Sequence, residues 1–202
     1  MIDVKQIVLL QTETVALWHE KPISNPYTEM LQIVCRQHAF NFELWHQEDI
    51  ARSPQVSDSR IAEVKRAIDR LNQQRNDWIE KIDDWISDYL KARDIKPQPN
   101  ARLNTETCGS AIDRLSIMSL RLYHLREQLD RVDVDQTHRE SVSRKIQTCL
   151  LQQQDLSQSL QELAADIQAG RKRHCTYRQF KMYNDPALNP YLYQSKPKKE
   201  VA

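Results

Sequence analysis

Apolar and polar positions along the chain alternate in helical steps almost throughout. The clearest run is Ile61, Val64, Ile68, Leu71, Arg75, Trp78, Ile82, Trp85 and Tyr89, spaced by three and four. That is the seam of a long helix packed against others. One member of the seam is an arginine, and a guanidinium facing a core needs an acid or a bound anion to offset its desolvation. Beside the seam, Asp69, Asn72, Asn76 and Asp83 make a second, polar stripe.

The same reading places a first helix over Val4 to Glu20, broken by "KPISNPY", and a second from about Tyr27 to Arg52, stopped by "SPQVSDS". After the loop "DIKPQPNARLNTET" a fourth helix starts near Ser110, with Ile112, Leu115, Leu122, Leu125 and Leu129 inward, and ends at "DRVDVDQTH". A fifth, about Asp135 to Ala169, carries Val142, Ile146, Cys149, Gln153, Leu156, Leu160, Leu163 and Ile167 on one side. Gly170 suits the position just past its end or a bend into a sixth, short helix over "RKRHCTYRQFKMY". The expected fold is all-α: an antiparallel bundle of about five long helices with a short C-terminal helix and a docked tail. Residues 1–185 form one bundle domain in this reading. Residues 186–202 form a docking segment, held through Leu188, Tyr191, Leu192 and Tyr193, and a frayed basic tail.

Composition narrows the function classes. With 202 residues the chain suits a single core. Lys and Arg number 29 against 28 Asp and Glu, so no overall charge bias favours nucleic acid or membrane. Basic residues do gather at the end, in Arg171, Lys172, Arg173, Arg178, Lys181, Lys196, Lys198 and Lys199. Four cysteines lie far apart without metal-knuckle spacing, which suits reduced thiols. No stretch reaches the length of a membrane span and no leader pattern opens the chain, so a cytoplasmic protein is expected. Only two glycines occur, too few for a phosphate-cradling Walker loop or a dinucleotide fingerprint.

One of those glycines, Gly109, stands in "NTETCGSAIDRLS" at the start of the fourth helix. A helix beginning at Thr107 or Ser110 presents free backbone N–H groups and the positive end of its dipole. A residue without a β-carbon lets either a ligand or a neighbouring helix come close. The functional version is an anion site built from Asn104, Thr105, Glu106, Thr107, Gly109 and Ser110, with Arg75, Arg114, Arg171 and Arg173 as cations around Asp113. The structural version is a capped helix start packed tightly on its neighbour, with Asp113 or Asp155 meeting Arg75.

A polar cluster is also expected from His46, Glu48, Asp49, Asp69, Asn72 and His124. Glu43 and His46 form one E-x-x-H pair, whereas a di-iron bundle needs two. A single metal on His46, Asp49 and His124 has no support from spacing, so no metal ligand and no cofactor is assigned. A Ser/His/Asp triad lacks its nucleophile elbow. A metal-assisted or acid/base enzyme with His46, Asp49, Asp69 and Asp113 at its centre is the alternative to anion binding. The basic, aromatic C-terminal segment offers RNA binding as a third alternative, although its aromatics suit packing on the bundle as well.

The phrases "WHQEDIAR", "RAIDRLNQQRNDWIEKIDDW", "RLNTETCGSAIDRLSIMSLRLYH", "QQDLSQSLQEL" and "GRKRHCTYRQFKMYNDPALNP" together resemble a bacterial family of helical proteins, domain of unknown function 4254. The resemblance runs from His38 to Tyr193 and implies that Trp45, His46, Glu48, Asp49, Asp69, Asn72, Arg75, the Asn104 to Thr107 turn, Gly109, Ser110, Asp113, Arg114, Tyr123 and His124 matter. Cys108 stands where similar sequences often have proline. Relatives' genes near glycosyltransferases of surface-polysaccharide assembly imply an accessory partner of that kind. The expectation is therefore a phosphorylated or sugar-nucleotide-like ligand, or such a partner, and a homodimer as a general prior.

Overall fold

The computed structural model describes residues 2–193. Five long helices carry the fold: α1 (Val4–Glu20), α2 (Glu29–Arg52), α3 (Asp58–Ala92), α4 (Cys108–Glu127) and α5 (Gln136–Gln168). A single 3-10 turn, Met182–Asn184, and a short α6, Pro190–Tyr193, follow. The described residues contain no strand and no helix long and apolar enough to cross a membrane.

Local chemistry sets most boundaries. Asp3, Ser57, Thr107 and Asp135 each precede a helix in extended conformation and accept a backbone N–H from its first turn. Helix α5 stops where Gly170 takes a φ of +72°. There Gly170 N–H donates to Ile167 C=O at 3.0 Å and Arg171 N–H to Asp166 C=O at 2.8 Å, a pair of bonds that uses up orphan carbonyls. A β-carbon on Gly170 would also stand 2.7 Å from the Lys96 carbonyl, because the loop before α4 is laid against this turn.

Helices α2 and α3, joined by residues 53–57, pack antiparallel along much of their length, with Phe40 facing Trp78. Helix α4 is the hub. It touches α1, α2, α3 and α5, and its apolar residues Ile112, Leu115, Leu120 and Leu122 are buried. The core joins Ile112, Leu115 and Leu120 to Ile7, Val15, Val34, Ile82, Ile86 and Leu160.

Two expectations change. Arg171 to Lys181 forms no helix. It runs extended, with Arg173 N–H bonded to Arg102 C=O at 2.9 Å, and then lies along α3. There Arg178 meets Glu80 and Asp84, and Gln179 N–H donates to Glu80 at 2.8 Å. Carboxylates and carbonyls of α3 take the cations of Arg178 and Lys181 and the Gln179 N–H, contacts that hold the segment in an extended course. Leu188, Tyr191, Leu192 and Tyr193 are exposed rather than docked. The basic tail of the sequence reading lies in 194–202, outside the described residues.

Candidate metal centre

The seam arginine finds an acid. Arg75 forks onto Asp113, with Nε donating to Oδ1 at 2.7 Å and Nη2 to Oδ2. Gln37 and Asn41 donate to the same Oδ1 at 2.6 and 2.9 Å, and Asn41 and His38 reach Ser116. Both oxygens of Asp113 are thus committed within the bundle, while Gln37 Oε1 and His38 Nε2 of the same network meet no partner among the described residues.

Gly109 has an equally definite neighbour. Its N–H donates to Asp83 Oδ1 at 2.8 Å, so a carboxylate of α3 already occupies this amide at the positive end of α4. A β-carbon at Gly109 would lie 2.6 Å from the Ile79 carbonyl. Burial raises the Asp83 pKa, opposed by the Thr107 hydroxyl, the Gly109 amide and the charge of His174.

The other residues of the expected anion site are spread out. Arg114 pairs with Glu106 at 3.0 Å and Arg171 with Asp166 at 2.8 Å, both near the surface. Thr105 is exposed, and the Thr107 hydroxyl accepts the Ser110 N–H and donates to the Ser110 hydroxyl. Asn104 accepts from Lys172 at 2.6 Å. Arg173, Asn104, Glu106 and Thr107 do share a crevice, of about 10 Å³, the size of one water.

Of the expected polar cluster, the structure brings together His46 and His124. Glu48 turns to Arg52 at 2.6 Å and Asp69 to Lys65 at 2.6 Å, both on the surface. Asp49 is exposed, and Asn72 offers its carbonyl to Lys181.

The partner of His46 and His124 is a residue the sequence reading passed over, His19. One ring nitrogen from each of the three lies within 4.8 Å of the others. They arrive from three helices: His19 from the last turn of α1, His46 from α2, and His124 from the last turn of α4. His19 Nδ1 donates to the Val15 carbonyl at 2.7 Å and His46 Nδ1 to the Phe42 carbonyl at 2.8 Å. A carbonyl can only accept, so each Nδ1 carries the proton. His124 Nδ1 bonds to the Glu127 carboxylate at 2.7 Å, with the same result.

Three Nε2 lone pairs are therefore left free, each on a ring whose tautomer is locked by an outer partner, as in histidines that bind metal. Those of His19 and His124 are buried and meet no hydrogen-bond donor. An unmet buried acceptor costs roughly 1–3 kcal/mol, which a metal ion would relieve.

The surroundings fix the rings and favour a cation. Tyr123 stacks on His19 at 4.1 Å and Trp45 on His124 at 4.9 Å, while Phe42 sets its edge against His19. The negative ends of α1 and α4 converge here. Burial, Glu127 and Glu20 raise the Tyr123 pKa, so two carboxylates act on the site. Burial lowers the His124 pKa against the opposing pull of Glu127, which keeps its imidazole neutral and ready to ligate. Zinc at about 2.0–2.1 Å from three nitrogens needs them roughly 3.3 Å apart. The rings would therefore have to close inward from the separations of up to 4.8 Å between one nitrogen of each. Beside His46, α2 and α3 part around a cleft of about 350 Å³.

His19 carries a signal legible in retrospect. Each of the three histidines follows an aromatic residue, in Trp18-His19, Trp45-His46 and Tyr123-His124, and none of the other three does.

Comparison with known proteins yields one family model, described as "Protein of unknown function (DUF4254)", over residues 31–176. That is well over half of the chain, which belongs to this family. The matched stretch contains His46 and His124 and begins after His19. No curated protein and no solved structure matches the chain.

Proposed function

For this member of the DUF4254 family, we propose that the protein binds one divalent transition-metal ion, zinc fitting best, through Nε2 of His19, His46 and His124. The ion is the functional centre, and the role that follows is a metal-assisted reaction. The carrying observation is the meeting of three ring nitrogens from three helices within 4.8 Å. Three neutral nitrogens suit zinc, copper or nickel better than magnesium or calcium, which take oxygen ligands. A three-histidine ion keeps a fourth position open for water or a ligand, the arrangement of catalytic rather than structural zinc. Held there, it would supply Lewis-acid chemistry, activating water or polarising an oxygen of a ligand. Glu127 orients His124, and the Val15 and Phe42 carbonyls orient the other two rings.

Metal-free protein titrated with Zn²⁺ against a chromophoric chelator takes up one equivalent. His19→Ala and His124→Ala each weaken uptake by more than the roughly 10–100-fold typical of losing an outer partner. Uptake that both variants retain unchanged removes this reading.

A further inference from the structure

We infer that the cleft between α2 and α3 admits a small phosphate-bearing molecule, with one oxygen at the metal's open position and the phosphate charge met by Arg70. The inference rests on the metal reading and names the ligand class of that same centre. The cleft of about 350 Å³ is lined by Phe42, Glu43, His46 and Gln47 from α2 and by Arg70 and Gln74 from α3, among others. Its volume falls in the range of small-molecule sites. Of the three histidines His46 alone borders it, so the cleft reaches the triad from the His46 side. The Nε2 atoms of His19 and His124 are closed off from solvent.

Arg70 supplies the charge. Among the described residues it has no ion-pair or hydrogen-bond partner, unlike Arg52, Arg60, Arg75, Arg114, Arg131, Arg171 and Arg178. A guanidinium facing a cleft with its donors unspent suits the oxygens of a phosphate group. Glu43 stands one turn before His46 on the same wall, and Gln47 and Gln74 add amides. A carboxylate and two amides accept hydrogen bonds from hydroxyls, so a phosphate ester bearing hydroxyl groups fits the lining better than a bare anion. Phe42 and Leu71 give the cleft an apolar side for the carbon frame.

The test uses the full chain loaded with Co²⁺, whose visible bands report coordination, and inorganic phosphate as probe. Phosphate is expected to change the bands saturably. Arg70→Gln raises half-saturation by about tenfold or more, as loss of a charge-assisted pair would, with Co²⁺ affinity unchanged. Arg66→Gln, one turn away and outside the cleft lining, leaves the titration as it was. Bands indifferent to phosphate, or Arg70→Gln titrating like the unsubstituted chain, overturn the inference while the metal reading stands. Absence of any Co²⁺ uptake sinks both.

Discussion

Arg75 and His19 mark how far single residues can be read. An arginine inside an apolar seam announces its need for a partner, and Asp113 was one of two acids that spacing allowed. The fork between them follows from electrostatics that any packed bundle must obey. His19 carries no such demand, since one imidazole at a helix end is at home in water. Only a fold that carries the ends of α1 and α4 to the last third of α2 brings it to His46 and His124, and no local period encodes that meeting. His38 supplies a test at this scale. It is fully buried beside Trp18 and Ser116, and burial lowers its pKa from 6.5 to about 3. As pH falls below 6.5 the unfolded chain takes a proton that the folded chain refuses. The stabilising contribution is therefore complete above 6.5 and is lost toward about 3, at roughly 1.4 kcal/mol per pH unit. With chelator present, the fall in urea-unfolding free energy from pH 7 to pH 5 should be about 2 kcal/mol larger for the unsubstituted protein than for His38→Gln.

Among the elements, long helices were legible and the C-terminal segment was not. Caps at Asp3, Thr107 and Asp135 sit within a turn of the helices they start, so sequence and structure agree there. The stretch from Arg171 to Lys181 has helical composition, yet its hydrogen bonds go to Arg102, Glu80 and Asp84, residues distant in the chain. Gly109 at the head of α4 was legible as a point of close approach. What meets it is α3, through Ile79 and Asp83, and this crossing fixes how α3 and α4 are set against each other. Gly109→Ala forces a β-carbon against the Ile79 carbonyl and should cost about 1–3 kcal/mol, as overpacking does. A lower denaturation midpoint with an unchanged slope would register it. No change in midpoint would mean that the two helices are not held at this distance.

For the molecule as a whole, α4 separates two differently closed ends. From Cys108 to His124 the helix rises roughly 24 Å. At its beginning, Asp83, Gly109 and the turn at Gly170 join helices by hydrogen bonds that are present in the bare polypeptide. At its far end, three helices meet at three ring nitrogens, and the Nε2 atoms of His19 and His124 have no hydrogen-bond donor among the described residues. In the proposed metal-bound form the ion would act as a removable rivet. Withdrawing it with a chelator should speed amide deuteration in the closing turns of α1 and α4, while the amides around Gly109 and Ile79 keep their rates. The protein would breathe from one end, and the end that opens is the one where the proposed ion would sit.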